Sequence, residues 1–199
     1  MFTQNGYIMF EVVSALQKSI RRNDENGAMY WALEFLPKFE AYLWRRLLII
    51  AQEDIGLASP DTVQFITTQC QAWFTMRRLG GNGECRLVLA NTILSMCRSP
   101  KARLADHFQC VVTYSRNNGT KYAIPDYALD KHTLKGKQMG RGWDHFLTEG
   151  AKLIPAADIR DPYAESAHKI WRSEQLPPEE KWPVPKGIAK QIEQLSLNI

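Results

Sequence analysis

Several residue patterns that identify common protein classes are missing from this sequence. Its 199 residues include only four cysteines and four histidines, and these form neither a C-x-x-C pair nor an H-E-x-x-H motif. We therefore expect no metal site and no bound cofactor. We interpret the cysteines as small core residues, and they are Cys70, Cys85, Cys97 and Cys110.

The motifs of common enzymes and of membrane proteins are absent as well. The sequence contains no G-x-x-x-x-G-K-[ST] phosphate loop and no G-x-S-x-G nucleophile turn, so we expect no catalysis by the chain itself. No run approaches about 18 consecutive apolar residues, and the N-terminus lacks the basic and apolar regions of a secretory signal. These absences predict a cytoplasmic protein without membrane contact.

The composition that is present is typical of one globular domain. Hydrophobic residues make up 45% of the chain and charged residues 23%, with 25 basic side chains against 21 acidic ones. This excess of 4 positive charges is mild, and it falls short of the usual composition of a dedicated nucleic-acid-binding protein.

Apolar residues recur at helical spacing through the first 111 residues. Turns separate six such stripes, and Gly56 and Pro60 are predicted to end the third helix and begin the fourth. The stripes are Ile8, Val12, Leu16 and Ile20; Met29, Leu33 and Leu36; Leu43, Leu47, Ile50 and Ala51; Val63, Ile66, Cys70 and Trp73; Cys85, Leu89, Ile93 and Met96; and Leu104, Phe108 and Val111. The short gaps favour an all-α fold, a helical bundle of antiparallel neighbours.

The C-terminal part is less regular. Residues 121–142 are glycine-rich and are predicted to mix short helix with ordered loop. Four prolines between Pro177 and Pro185 indicate an extended linker, and apolar residues from Ile188 to Leu195 could form a short terminal helix. We therefore expect a helical domain over residues 1–155 and a C-terminal extension over residues 156–199.

A basic stretch lies over residues 131–143, which contain no acidic residue. Lys131, Lys135, Lys137 and Arg141 could neutralise phosphates, while Trp143 offers a face for stacking on a base. The alternative interpretation is a solvated loop whose lysines keep the surface soluble and whose aromatic rings pack in the core.

Basic residues also close the first helix. Lys18, Arg21 and Arg22 oppose the negative end of its dipole, which is a structural role. The functional alternative is a phosphate-contacting edge that they form together with Arg45 and Arg46.

The adjacent acids Glu53 and Asp54 are predicted to be structural. Neighbouring residues on a helix point about 100° apart, so these two carboxylates are poorly arranged to flank one reacting atom. We expect one of them to bond backbone or an arginine such as Arg45 or Arg46 in a partly buried pair.

Several ordered segments resemble one family. Residues 14–24 read SALQKSIRRND, residues 28–31 AMYW, residues 45–47 RRL and residues 51–60 AQEDIGLASP. Together they are similar to the C-terminal domain of RarA, also called MgsA, a family of replication-associated recombination ATPases of the AAA+ class related to clamp loaders. Residues 124–133, 140–142 and 144–146 fit the end of that domain more loosely, so the resemblance covers residues 13–155.

The resemblance implies a function. The family's C-terminal domain is a helical oligomerisation module, which implies a non-catalytic interaction module of DNA replication, recombination or repair that forms a homo-oligomer, by family expectation a tetramer. It could also join a AAA+ ATPase or a replication-fork protein in trans, and weak DNA binding is a further expectation. The alternative from another class is a small monomeric nucleic-acid-binding protein that uses residues 131–143.

Overall fold

The fold is helical throughout the part of the chain that the structure describes. A computed structural model describes residues 1–173, and within them the regular elements are helices, with one isolated antiparallel bridge between Phe2 and Ile8. The predicted all-α class is confirmed. The predicted proline linker and terminal helix lie outside the described residues. None of the described helices is long and apolar enough to cross a bilayer.

The chain divides into two compact units, Met1–Lys121 and a second unit that begins at Tyr122. The predicted boundary after residue 155 falls inside the second unit and stays a prediction. The helices of the first unit are α1 (Met9–Arg21), α2 (Glu25–Leu33), α3 (Glu40–Ile50), α4 (Pro60–Arg78), α5 (Cys85–Arg98) and α6 (Leu104–Asn117).

The core of the first unit lies among α1 to α5. α1 packs on α2, α4 packs on α5, and α5 also contacts α1 and α2. The predicted inward residues of α5 are all buried, and so are those of α3. In α2 the prediction is wrong at Leu33, which is exposed, whereas Met29 packs against the core as predicted and Ala28 and Ala32 are fully buried.

The junction between α3 and α4 departs from a simple helix end. After Ile50 the chain makes a π-helical turn, Ala51–Ile55, and then a 3-10 turn, Gly56–Ala58. Gly56 has a φ of 45°, a backbone conformation that glycine adopts without the steric cost of a side chain. Pro60 occupies the first turn of α4, where its missing N–H costs nothing.

The first eight residues fold over Glu34 at the end of α2, and we call this segment the N-terminal hook. Within it, Thr3 N–H donates to Tyr7 carbonyl at 2.9 Å. The hook covers the buried carboxylate of Glu34, which accepts hydrogen bonds from the Thr3 hydroxyl at 2.7 Å and from both the backbone and the side-chain amide of Asn5. These donors satisfy a charge that would otherwise be buried without a partner.

The largest difference from the predicted core is at α6. Leu104, Phe108 and Val111 recur at helical spacing and were expected to face inward, but they are 61%, 67% and 65% exposed. No residue of α6 is buried. Cys110, on the same helix, is exposed too, so the core interpretation of the cysteines is wrong there, although Cys85 and Cys97 are buried.

The described part of the second unit, up to residue 173, consists of short elements, as the glycine-rich sequence predicts. They are a 3-10 turn Asp126–Ala128, α7 (Leu134–Gln138), α8 (Trp143–His145) with a π-helical turn Phe146–Gly150, and α9 (Ala164–Ser173). Thr133 caps α7 by accepting a hydrogen bond from Gly136 N–H.

Candidate functional site

The acidic pair of the π-helical turn lies at the centre of a polar network in the first unit. The Asp54 side chain is only 2% exposed. Its two carboxylate oxygens each lie 2.9 Å from Nε of Arg21, and Gln17 Nε2 donates to one of them at 3.0 Å. The Asp54 backbone carbonyl accepts from Ala102 N–H at 2.9 Å, which attaches the segment before α6 to this turn.

Glu53 extends the same network toward the surface. Its carboxylate lies 3.0 Å from Arg21 Nη2, 3.1 Å from Arg103 Nη2 and 3.1 Å from Gln17 Nε2. We call the set Gln17, Arg21, Glu53, Asp54 and Arg103 the acid network. The hydrogen bond to Asp54, reinforced by the charges of both acids, raises the pKa of Arg21 although its partial burial acts in the opposite direction.

The direct arginine partners of the acidic pair are therefore Arg21 and Arg103, not Arg45 or Arg46. Arg46 reaches the network only through Gln17, to whose amide oxygen it donates at 3.0 Å. Arg45 is exposed and lies over the Tyr42 ring at 5.0 Å. Because donors occupy the carboxylate oxygens, the geometry favours a structural role for this motif over proton transfer.

An exposed apolar surface lies on one face of α6. Four side chains form it, each between 44% and 67% exposed, and we call this set the α6 ridge: Leu104, Phe108, Val111 and Val112. Their spacing places them within one stripe of the helix. Large exposed apolar patches usually mark interaction sites.

A groove of about 610 Å³ adjoins the ridge, between α6 and the end of α3. On the α3 side its lining includes the apolar side chains of Leu48 and Ile49, and on the α6 side Ala105 and Gln109. The α6 side of this groove thus comes from the first two turns of the helix, and the other residues of the first unit leave the α6 ridge exposed.

The second unit contains the basic stretch, and three of its predicted residues, Lys131, Arg141 and Trp143, contact other side chains or backbone of that unit. Arg141 makes a bidentate pair with the Asp126 carboxylate at 2.6 and 2.7 Å and also donates to the carbonyls of Asp126 and Leu129. This pair lowers the pKa of Asp126. The Trp143 ring has the Lys131 ammonium 3.3 Å from its centroid and stacks on Trp171 at 5.7 Å.

The other basic candidates differ in their freedom to bind a ligand. Lys135 and Lys137 are exposed on α7 and have no ion pair within the described residues. At the end of α1, Lys18 donates to the Ser14 hydroxyl and Arg22 donates to the Lys18 carbonyl, which is the pattern of a structural helix end. A phosphate at Arg21 would have to compete with the acid network.

Comparison with known proteins gives the family. Residues 22–152 match the family described as MgsA AAA+ ATPase C terminal, and the chain belongs to that family. The match confirms the resemblance seen in the sequence and extends over residues of both units.

Individual relatives agree with this assignment. Replication-associated recombination protein A of Bacillus subtilis is 34% identical over 143 residues, covering 71% of this chain and 33% of that protein. The protein of the same name in Escherichia coli K12 is 28% identical over 165 residues, covering 81% of this chain and 36% of that protein. The ATPase WRNIP1 of Dictyostelium discoideum is 25% identical over 147 residues, or 73% of this chain and 16% of its own length. The chain thus spans about a third of the length of its bacterial relatives.

Proposed function

We propose that this chain is a non-catalytic helical module that associates with copies of itself in DNA replication and recombination. Its membership of the MgsA C-terminal family supports the setting, since two of its relatives are named replication-associated recombination proteins. The matched part of the chain is a helical C-terminal domain rather than an ATPase, which supports a role in assembly instead of nucleotide hydrolysis.

The observation that carries the proposal is the uncovered α6 ridge. Fully burying a large aliphatic or aromatic side chain contributes about 1.5–3 kcal/mol, so an interface over four of them gains several kcal/mol. The ridge itself carries no charge that would have to be desolvated. A second copy offers the same ridge, and two such surfaces can pack against each other about a two-fold axis, as most homo-oligomers do.

The same proposal includes the size of the assembly, its partners and its location. We infer a homo-oligomer that can reach a tetramer, and a AAA+ ATPase of the same family or a replication-fork protein as a partner that binds in trans. We further infer a cytoplasmic location, where replication proteins act. DNA repair is included in this setting.

Light scattering after size exclusion tests the proposal. At micromolar concentration the wild-type chain should have at least twice the monomer mass, and Phe108→Asp should reduce it to the monomer because a carboxylate would be desolvated in the interface. Leu87→Asp is the matched control, since Leu87 is 70% exposed on α5 and lies outside the ridge. Circular dichroism should show unchanged helicity in both variants.

A monomeric wild-type chain would refute self-association. Loss of the oligomer in Leu87→Asp but not in Phe108→Asp would refute the α6 ridge as its interface.

The second candidate function is nucleic-acid binding through α7. It is favoured by Lys135 and Lys137, which are exposed and have no ion pair within residues 1–173. Binding of single-stranded DNA should weaken with salt, and it should be lost in Lys135→Ala plus Lys137→Ala. Lys121→Ala plus Lys152→Ala removes two exposed lysines outside the stretch and should leave binding unchanged. A wild-type chain that is monomeric and binds DNA would favour this function over assembly.

A further inference from the structure

The start of α6 is held by one arginine. Arg103 immediately precedes the helix, and its guanidinium lies 3.1 Å from Glu53 and 2.5 Å from Asp106, with Nε 3.7 Å from Asp54. One side chain therefore connects the π-helical turn to the first turn of α6. Next to it, the bond from Ala102 N–H to the Asp54 carbonyl fixes the backbone that leads into the helix.

Beyond its first two turns, α6 makes few contacts with the other described residues of the first unit. None of its residues is buried, and the groove that it forms with α3 is lined on its side only by Ala105, Asp106 and Gln109 from its first two turns. Within the first unit, the direction of the helix is therefore set at its N-terminal end. A change there would move the whole ridge, because a helix transmits a tilt along its length.

We propose that Arg103 is a positioning residue that latches α6 to the acid network and thereby presents the α6 ridge for docking of a second copy. This inference rests on the proposed self-association and names what controls it. The latch is separable from the core, since Asp54 keeps Arg21 and Gln17 as partners when Arg103 is removed.

The partial exposure of Arg103 explains why it can regulate the orientation of α6. Arg103 is 44% exposed, whereas Asp54 is 2% exposed, so the arginine can leave its partners without opening the core. Without the contacts of Arg103, α6 would adopt several orientations. Association would then have to restrict the helix to one orientation as well as bury the α6 ridge. The latched helix is already oriented, which favours association.

Hydrogen exchange of the α6 amides tests the latch in the full chain. In Arg103→Ala, exchange of the hydrogen-bonded amides from His107 to Val111 should become faster by about tenfold, because the first turn loses its anchor, while α5 keeps its wild-type rate. The dissociation constant of the oligomer should rise by at least about threefold. Arg98→Ala is the matched control, since it removes an exposed arginine paired with Glu25 at 2.7 Å just before this segment.

A conservative variant separates position from charge. Arg103→Lys keeps the charge but offers one ammonium in place of a planar fork that reaches three carboxylates, so its exchange rate should fall between those of the wild type and of Arg103→Ala. Unchanged exchange in Arg103→Ala, or equal acceleration in Arg98→Ala, would overturn the latch. A monomeric wild-type chain would instead refute self-association, and the exchange measurement would still decide whether Arg103 holds α6.

Discussion

Replacement of Asp54 by alanine is the most direct test of the acid network. The change removes a carboxylate that is 2% exposed and leaves Arg21 and Gln17 without this acceptor. The Asp54 backbone carbonyl still receives Ala102 N–H, so the segment before α6 stays attached. The expected loss of stability therefore reports on the side-chain network alone.

The magnitude follows from burial. Removing one partner of a buried ion pair costs about 3–5 kcal/mol, because the other charge is left uncompensated. Arg21 is 29% exposed and keeps Glu53, so solvent and the second acid recover part of this loss, and we expect about 3 kcal/mol. With an unfolding entropy of about 2.1 cal/mol/K per residue over the first unit, Met1–Lys121, the melting temperature should fall by about 12 °C.

Differential scanning calorimetry of the full chain measures this shift. Asp54→Asn should cost less than Asp54→Ala, because the amide oxygen still accepts from Gln17. Asp61→Ala is the matched control, since it removes an exposed carboxylate in the first turn of α4 and should cost less than about 1 kcal/mol. In a double-mutant cycle, Asp54→Ala and Arg21→Ala should not be additive. A melting temperature of Asp54→Ala equal to that of the wild type, or a full loss in Asp61→Ala, would show that the network does not stabilise the unit.

Two further predictions concern other parts of the chain. A thiol reagent at pH 8 should modify the exposed Cys110 first and should spare Cys97, because burial raises the pKa of the Cys97 thiol to about 11 and keeps it protonated. Mass spectrometry of the digested chain measures which cysteine is labelled. Early labelling of Cys97 would contradict the packing of α5. Gly136→Ala should destabilise the second unit, because the added Cβ would lie 1.8 Å from the Asp130 carbonyl oxygen, whereas the Cβ of Gly142→Ala meets nothing within 4 Å. Thermal unfolding followed by tryptophan fluorescence compares the two variants. Equal midpoints would contradict the close approach of Gly136 to Asp130.

Two helices show what periodicity can and cannot predict. In α5, Leu89 and Ile93 repeat at helical spacing and are buried, since α5 packs against α4, α1 and α2. In α6, Leu104 and Phe108 repeat in the same way and are exposed. The pattern identifies an apolar face, but which neighbour covers that face depends on how the whole chain packs.

The acid network was partly predictable. The sequence indicated that Glu53 and Asp54 are structural and pair with an arginine, and the geometry supports that interpretation. The partner was wrong, because Arg21 lies 33 residues before Asp54 and meets it only when α1 packs near the end of α3. No residue pattern predicts the π-helical turn, Ala51–Ile55, although this turn directs both acids toward the Arg21 guanidinium.

The basic stretch is identified by its charges and by the neighbouring Trp143 ring. Charge does not reveal that Arg141 is held by Asp126 or that Lys131 lies over Trp143, because these contacts depend on turns between short elements. Lys135 and Lys137 remain candidates for phosphate contact, and their role stays a prediction.

The hook at the beginning of the chain has a practical meaning for anyone who shortens this protein. The family match begins only at residue 22, yet Glu34 depends on donors contributed by Thr3 and Asn5. A fragment limited to residues 22–152 would leave the Glu34 carboxylate in the interior beside α2 without these donors. The cooperative unit thus starts well before the region that similarity alone delimits.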